Sequence, residues 1–221
     1  MAICYNELVA NEIAAVILAA GGSSRFARPK QLVQFRGKSL LRRIVDAAAE
    51  AKCSPLVVVI GSETEKTRDE LAGTSAIAVE NKDWQRGIGT SIRAGVQGAI
   101  DNATKEGRPS AVSKPPLLER IVLLTCDQPF VEAQTIEQLI ALRKKTKKAI
   151  VASSYSDTLG VPVLFDRSCF AELLALDDDS GAKPIILAKR ERVAEFPFPE
   201  GKIDIDTVED LELARRTQRK L

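Results

Sequence analysis

The chain of 221 residues contains no histidine. Imidazole is the side chain that titrates nearest neutrality, so its absence removes the usual general base, the serine–histidine triad and imidazole metal ligands. Any chemistry must rest on carboxylates, cations, backbone N–H groups and metal. Cysteine is sparse: Cys4, Cys53, Cys126 and Cys169 are widely spaced and form no C-x-x-C pair. That excludes a zinc ribbon or a disulfide framework and favours the reducing cytoplasm. No long apolar run occurs. The longest, residues 13–20, falls far below the roughly 20 residues of a membrane span. Charge of one sign is lacking too, because a net charge of +2 gives no electrostatic case for nucleic acid. Residues 1–12 carry Glu7 and Glu12 and no basic residue, so they read as an N-terminal extension and not as a secretory signal.

What is present is an alternation of short β-branched runs with helical patterns. Strands are expected at 15–19, 56–60, 77–79 and 121–126, followed by helices at 40–49, 63–71, 91–100 and 136–142. That order is the signature of βαβ units, and the length suits one α/β domain with a mostly parallel central sheet flanked by helices. Runs such as Val57-Val58-Val59-Ile60 suit strands covered on both faces. Further strands, some antiparallel, are expected at 149–152, 161–165 and 193–196. Thr207 with Asp210 makes a capping-box-like start for a last helix. Residues 101–116, polar and proline-bearing, read as a surface insertion, since the alternating pattern resumes beyond them.

The first strand empties into Leu18-Ala19-Ala20-Gly21-Gly22-Ser23-Ser24-Arg25-Phe26-Ala27-Arg28-Pro29-Lys30. Glycine and serine let the backbone turn sharply and aim N–H groups at an anion, while Arg25 and Lys30 add positive charge, so a polyphosphate is the expected guest. The loop matches neither familiar nucleotide fingerprint. Counting from Gly21, Ser23 and Phe26 stand where a dinucleotide loop requires glycine, and Leu32 stands where a Walker A motif ending at Gly37-Lys38-Ser39 requires one. Gly37-Lys38-Ser39 therefore reads as a turn and helix cap.

Asp127 follows a buried run and should emerge at the carboxyl end of a central strand, the edge where open α/β sheets bind ligands. It is either a hard oxygen ligand for Mg²⁺ facing the triphosphate or the opening of an Asp-x-Pro turn. Asp204 and Asp206 alternate by two and share a face. One of them completes the metal site or complements the following helix dipole. Ser91 opens another helix, either as an ordinary cap or with N–H groups directed at a base carbonyl or phosphate.

The stretch 18–32 closely resembles the signature loop of the nucleotidyltransferases that act on molybdenum cofactor. Further matching motifs follow in order: Asn81-Lys82-Asp83-Trp84, Gly87-Ile88-Gly89-Thr90-Ser91-Ile92-Arg93, Cys126-Asp127-Gln128-Pro129, Gly160-Val161-Pro162-Val163, Asp179-Ser180-Gly181-Ala182-Lys183 and Asp204-Ile205-Asp206-Thr207. They cover residues 14–213, and the likeness is to the molybdenum cofactor cytidylyltransferase branch of the MobA-like NTP transferases. The resemblance implies a Rossmann-like nucleotidyltransferase fold and transfer of CMP from CTP to the phosphate of molybdopterin, with pyrophosphate leaving. Arg25, Lys30 and Asp127 would be catalytic. Residues 18–23 (Leu18, Ala19, Ala20, Gly21, Gly22, Ser23), Arg25, Lys30 and Ser91 would hold the nucleotide, and Asp127 with Asp206 would hold Mg²⁺. Partners would be CTP, molybdenum cofactor and a molybdoenzyme or its maturation chaperone, with no nucleic acid or membrane. Guanylyl-transferring relatives tend to carry glycine where this chain has Ala20, which points to the cytidylyl branch. Two departures stand out: Phe26-Ala27 replaces the usual Met-Gly, and Val161 replaces a common histidine. The alternatives are a guanylyl or sugar-phosphate nucleotidyltransferase of the same fold, or a non-catalytic cofactor carrier.

Overall fold

A computed structural model describes residues 13–22, 29–106 and 118–217. In chain order it has β1 (Ile13–Ala19), β2 (Gln34–Phe35), β3 (Lys38–Ser39), α1 (Leu40–Glu50), β4 (Leu56–Ile60), α2 (Thr64–Glu70), β5 (Ile77–Glu80) and α3 (Ile88–Glu106). Then come β6 (Arg120–Thr125), α4 (Ala133–Thr146), β7 (Ile150–Tyr155), β8 (Thr158–Asp166), α5 (Phe170–Leu174), α6 (Lys183–Ala188), β9 (Val193–Pro197) and α7 (Val208–Thr217). Among the described residues no helix is long and apolar enough to cross a membrane.

The seven-stranded sheet runs β5-β4-β1-β6-β8-β7-β9. β1 pairs parallel with β4 and β6, whereas β8 lies antiparallel between β6 and β7. Period-two alternation sorts β1 between two cores: Ala15, Ile17 and Ala19 face one, Ala14, Val16 and Leu18 the other. The first core is closed by α1, α4 and α7 through Leu41, Ile136 and Leu211; the second by α3, α5 and α6 through Val96, Phe170 and Ile186. From β1 the chain steps outward to β4 and β5, then returns to place β6 on the other side of β1. The carboxyl ends of β1 and β6 therefore flank a topological switch point, where open α/β sheets bind ligands.

Local chemistry accounts for the elements around this crevice. Arg36 and Gly37 both have positive φ, 54° and 78°, and form the two-residue turn of the β2–β3 hairpin. Ser39 then caps α1, its Oγ accepting from the Arg42 N–H at 2.9 Å. α3 lies directly on the sheet because Gly95 and Gly98 carry no side chain. A Cβ at Gly95 would come within 2.8 Å of Val59 Cγ2 and nearer still to Val16, and one at Gly98 within 2.8 Å of Val79 Cγ2.

Two expectations change. Residues 101–106, assigned to the surface insertion, are the last turns of α3. Asn102 donates to Gly98 O, Gln97 donates to Asp101, and the Ala103 methyl is buried, so helical bonding extends past the point where polarity suggests a loop. The remainder, 107–116, lies outside the described residues, as does 1–12. α3 also starts at Ile88, which puts Ser91 within its first turn and not at its cap. The antiparallel strand is β8, joined to β7 by a turn through Ser156 and Asp157, both at positive φ.

Candidate active site

The loop after β1 is built against Trp84. A Cβ at Gly22 would lie 2.9 Å from the Trp84 ring and one at Gly61, beyond β4, would lie 2.7 Å from it, so the indole requires glycine at both positions. Ala20 O accepts from the Ser62 N–H at 3.1 Å, and Ser62 Oγ donates to Gly21 O at 3.0 Å, tying the exit of β1 to the exit of β4. Leu18, Ala19 and Ala20 point their side chains into the cores, so only their backbone can meet a ligand. Ser23 and Arg25 lie outside the described residues.

Lys30, Asp127 and Asp206 meet, although they are far apart in sequence. Lys30 begins a short 3-10 turn, Lys30–Leu32, and its Nζ donates to Asp127 Oδ2 at 2.6 Å and to Asp206 Oδ1 at 2.8 Å. Asp127 follows β6. Asp206 follows a 3-10 turn, Pro199–Lys202, and precedes the α7 cap, where Asp210 Oδ2 accepts from the Thr207 N–H at 2.8 Å. Between Asp204 and Asp206, Ile205 is fully buried, and its N–H donates to Asp127 O at 2.9 Å, which turns both aspartates toward the crevice. Burial works against the Lys30 charge, but the Asp127 carboxylate and the two hydrogen bonds outweigh it and raise the ammonium pKa. Burial and the neighbouring Asp127 and Asp206 charges push the Asp204 carboxyl up to about 6. Burial also pushes the Cys126 thiol, one residue before Asp127, up to about 12.

One point cation thus sits within hydrogen-bonding distance of two carboxylates. Among the described residues no group of three or more His, Cys, Asp or Glu side chains could hold a metal. A Mg²⁺ ion at Asp127 and Asp206 would therefore complete its shell with substrate oxygens and water, as Mg²⁺ does in phosphate-handling sites.

Ser91 is not directed into this cluster. Its hydroxyl is buried and accepts from Asn81 Nδ2 at 3.0 Å, while the same amide donates to Thr90 Oγ1 at 2.8 Å. The Gly89 N–H donates to Asp178 O at 2.8 Å, and Asp178 pairs with Arg86 and Arg93, which hold its carboxyl below the usual range. The Asp179–Lys183 motif thus lies beside a clamp on the start of α3. Two residues outside the expected site belong to its frame. One is Trp84, conspicuous in sequence as the sole tryptophan. The other is Gln128, whose buried amide donates to Val161 O at 3.2 Å and to Gly201 O at 2.8 Å. A cavity of about 650 Å³ adjoins the β7–β8 turn, lined by Tyr155, Ser156, Asp157, Lys183, Leu187 and Arg190 among others.

A Rossmann-like sheet with a glycine loop and a cation-bridged carboxylate pair at its switch point defines a nucleotide-handling α/β protein. The family model of the MobA-like NTP transferase domain matches residues 15–193, and the chain belongs to that nucleotidyltransferase family. It is 24% identical over 208 residues to the nicotine blue oxidoreductase of Paenarthrobacter nicotinovorans, covering 90% of this chain and 94% of that one. To the bifunctional protein GlmU of Prochlorococcus marinus it is 28% identical over 139 residues, 62% of this chain and 27% of the relative. The chain thus spans about a quarter of the GlmU protein. Rv0371c of Mycobacterium tuberculosis H37Rv superposes with a TM-score of 0.73 at 28% identity, covering 95% of this chain and 99% of that one. A second structure of Rv0371c, in complex with manganese, superposes at 0.68, with 96% and 100% covered.

Proposed function

We propose that the protein is a Mg²⁺-dependent cytidylyltransferase that transfers CMP from CTP to the phosphate of molybdopterin in the cytoplasm, handing the product to a molybdoenzyme or its maturation chaperone. The observation that carries this reading is the bridge from Lys30 to Asp127 and Asp206 at the switch point. The sequence resemblance to the molybdenum cofactor branch supports the acceptor, and the manganese complex of Rv0371c supports a divalent ion.

A phosphate oxygen of the acceptor attacks the α-phosphorus of CTP, the bond to the bridging oxygen of the β-phosphate breaks, and pyrophosphate departs with the electron pair. Asp127 and Asp206 would hold a divalent ion, which would supply positive charge to the triphosphate and favour in-line attack. Lys30 moves its charge from the carboxylates to the departing pyrophosphate, aided by Arg25 and the N–H groups after β1. The acceptor phosphate is largely ionised at neutral pH, its second pKa lying near 6, so the absence of histidine costs the reaction no base.

The GlmU likeness favours one second reading, transfer to a sugar phosphate on the same fold. Pyrophosphate release is to be measured with CTP, GTP, ATP and UTP, each offered with molybdenum cofactor or with a hexosamine 1-phosphate. Oxidation of a reduced dinucleotide serves as the control raised by the oxidoreductase relative. Release dependent on CTP and molybdenum cofactor is expected. A preference for GTP or for the sugar phosphate overturns the assignment, and no release with any pair overturns transfer itself.

A further inference from the structure

Asp127 and Asp206 reach the site from distant segments, so something must hold their separation before any metal arrives. Gln128, adjacent to Asp127, is 4% exposed. Its Nε2 donates to Val161 O on β8 at 3.2 Å and to Gly201 O in the 199–202 turn at 2.8 Å. Both amide hydrogens thereby meet carbonyls, which fixes the carboxamide, because a flipped amide would aim its oxygen at the same two acceptors. Oε1 is buried with no donor among the described residues.

The turn that Gln128 holds is gripped from the other side as well. Tyr155 Oη donates to the same Val161 O at 3.1 Å, and a Cβ at Gly201 would lie 2.7 Å from both Tyr155 Cδ1 and Phe198 Cδ1. From the end of the turn at Lys202 the chain reaches Asp206 in four residues, held on the way by the Ile205 N–H bond to Asp127 O, so the turn and that bond together set where Asp206 stands. The sheet supplies only the other carboxylate.

We propose that Gln128 is a positioning residue of the transfer reaction: its carboxamide pins the 199–202 turn to the end of β6 and so, together with the Ile205 N–H bond to Asp127 O, sets the separation of Asp127 from Asp206. This rests on the reading of the two aspartates as the metal pair. Gln128→Met keeps the shape and removes both donors. Mn²⁺ affinity, read by electron paramagnetic resonance in the presence of a non-hydrolysable CTP analogue, should fall about tenfold, and kcat by a similar factor or more, since small misplacements of reacting groups are costly. KM for CTP should stay within about threefold, because the loop after β1 is untouched. In the double variant with Asp206→Asn, Gln128→Met should cost nothing further, since its route of action is already gone.

A merely structural Gln128 predicts a lowered Tm with Mn²⁺ affinity and kcat unchanged, or losses that add in the double variant. Either result overturns the proposal. Should Gln128→Met not fold, Gly201→Ala moves the same turn with the carboxamide intact and should show the same split between kcat and KM; its failure to do so also counts against Gln128. A wild type that neither binds Mn²⁺ with the CTP analogue nor releases pyrophosphate overturns the metal reading and this proposal together. A wild type that does both, with variants that match it, overturns the role of Gln128 alone.

Discussion

Lys30→Met tests the bridge most directly, because it removes one charge that two carboxylates share and keeps the length of the side chain. Lys30 and Asp127 are each about one-fifth exposed at the side chain, 21% and 19%, and Asp206 is 48% exposed. At an effective dielectric of about 20, contacts of 2.6 and 2.8 Å are each worth roughly 6 kcal/mol of gross attraction. Burial of Lys30 opposes most of the first, and solvent screens most of the second. A net loss of about 1–3 kcal/mol is expected at neutral pH, as for a charged group left without its partner. At about 2–4 °C per kcal/mol for a chain of this size, Tm should fall by roughly 2–12 °C. The sign with pH follows from the raised ammonium pKa: the contribution is complete below the ordinary lysine value of 10.5 and is lost only as the pH rises through the higher folded value. The deficit should therefore be constant from pH 7 to 9. The same variant should bind Mn²⁺ without nucleotide about tenfold more tightly than wild type, because no resident cation competes, and Mn²⁺ should restore its Tm while pyrophosphate release is lost. Calorimetry with and without Mn²⁺ reads both effects. An unchanged Tm together with unchanged Mn²⁺ affinity would refute the bridge.

Asp127→Asn should abolish metal-dependent turnover and lower Tm within the range expected for Lys30→Met, since it takes the charged partner from the same contact; wild-type activity would remove Asp127 from the metal site. Gly95→Ala should destabilise by about 1–3 kcal/mol, the range for overpacking, because its methyl meets Val16 and Val59 under α3; an unchanged urea midpoint would mean that the helix lifts freely off the sheet. Cys53 and Cys126, both pushed by burial from 9 to about 12, should resist iodoacetamide at pH 8 by about a thousandfold relative to unshifted thiols, since the thiolate is the nucleophile. Both contribute stability that is complete below pH 9 and fades as the pH climbs toward 12, and rapid labelling of either in native protein would contradict their burial. Joining Glu106 to Leu118 through a short glycine–serine link should leave CTP affinity nearly unchanged, as the cost of closing a connection grows only slowly with its length; loss of turnover with the fold intact would give residues 107–117 a part in the reaction.

The elements legible in sequence were those whose own residues decide them. β4, read from Val57-Val58-Val59-Ile60, and α1, read from Ser39 and its apolar stripe, stand at or within a residue of their expected ends. Period and capping are local properties, and no tertiary contact competes with them there. The boundaries that moved were decided from outside. The last turns of α3 are polar in sequence, yet Ala103 packs into the core, and that contact carries the helix past residue 100. Ser154-Tyr155-Ser156-Asp157 has no alternating pattern and becomes a hairpin only because β8 returns beside β7.

The site divides along the same line. Position on the sheet follows from strand order, so the expectation that Asp127 stands past the carboxyl end of β6 and Lys30 past the β1 loop was legible, and the fold brings the two side chains together. Ser91 was drawn in by its place at a helix start, for its backbone N–H; that Asn81, ten residues earlier, binds its hydroxyl is a contact that no spacing rule encodes. Gln128 was passed over for the converse reason. A glutamine beside an aspartate carries no signal by itself, and its meaning comes from two carbonyls, at 161 and 201, that only the closed fold brings within reach. Groups that act on a ligand announce themselves by charge and by their place at a strand end. Groups that hold those charges in place are uncharged and buried, and they are defined by partners far away in the chain, so they become readable only once the backbone is known.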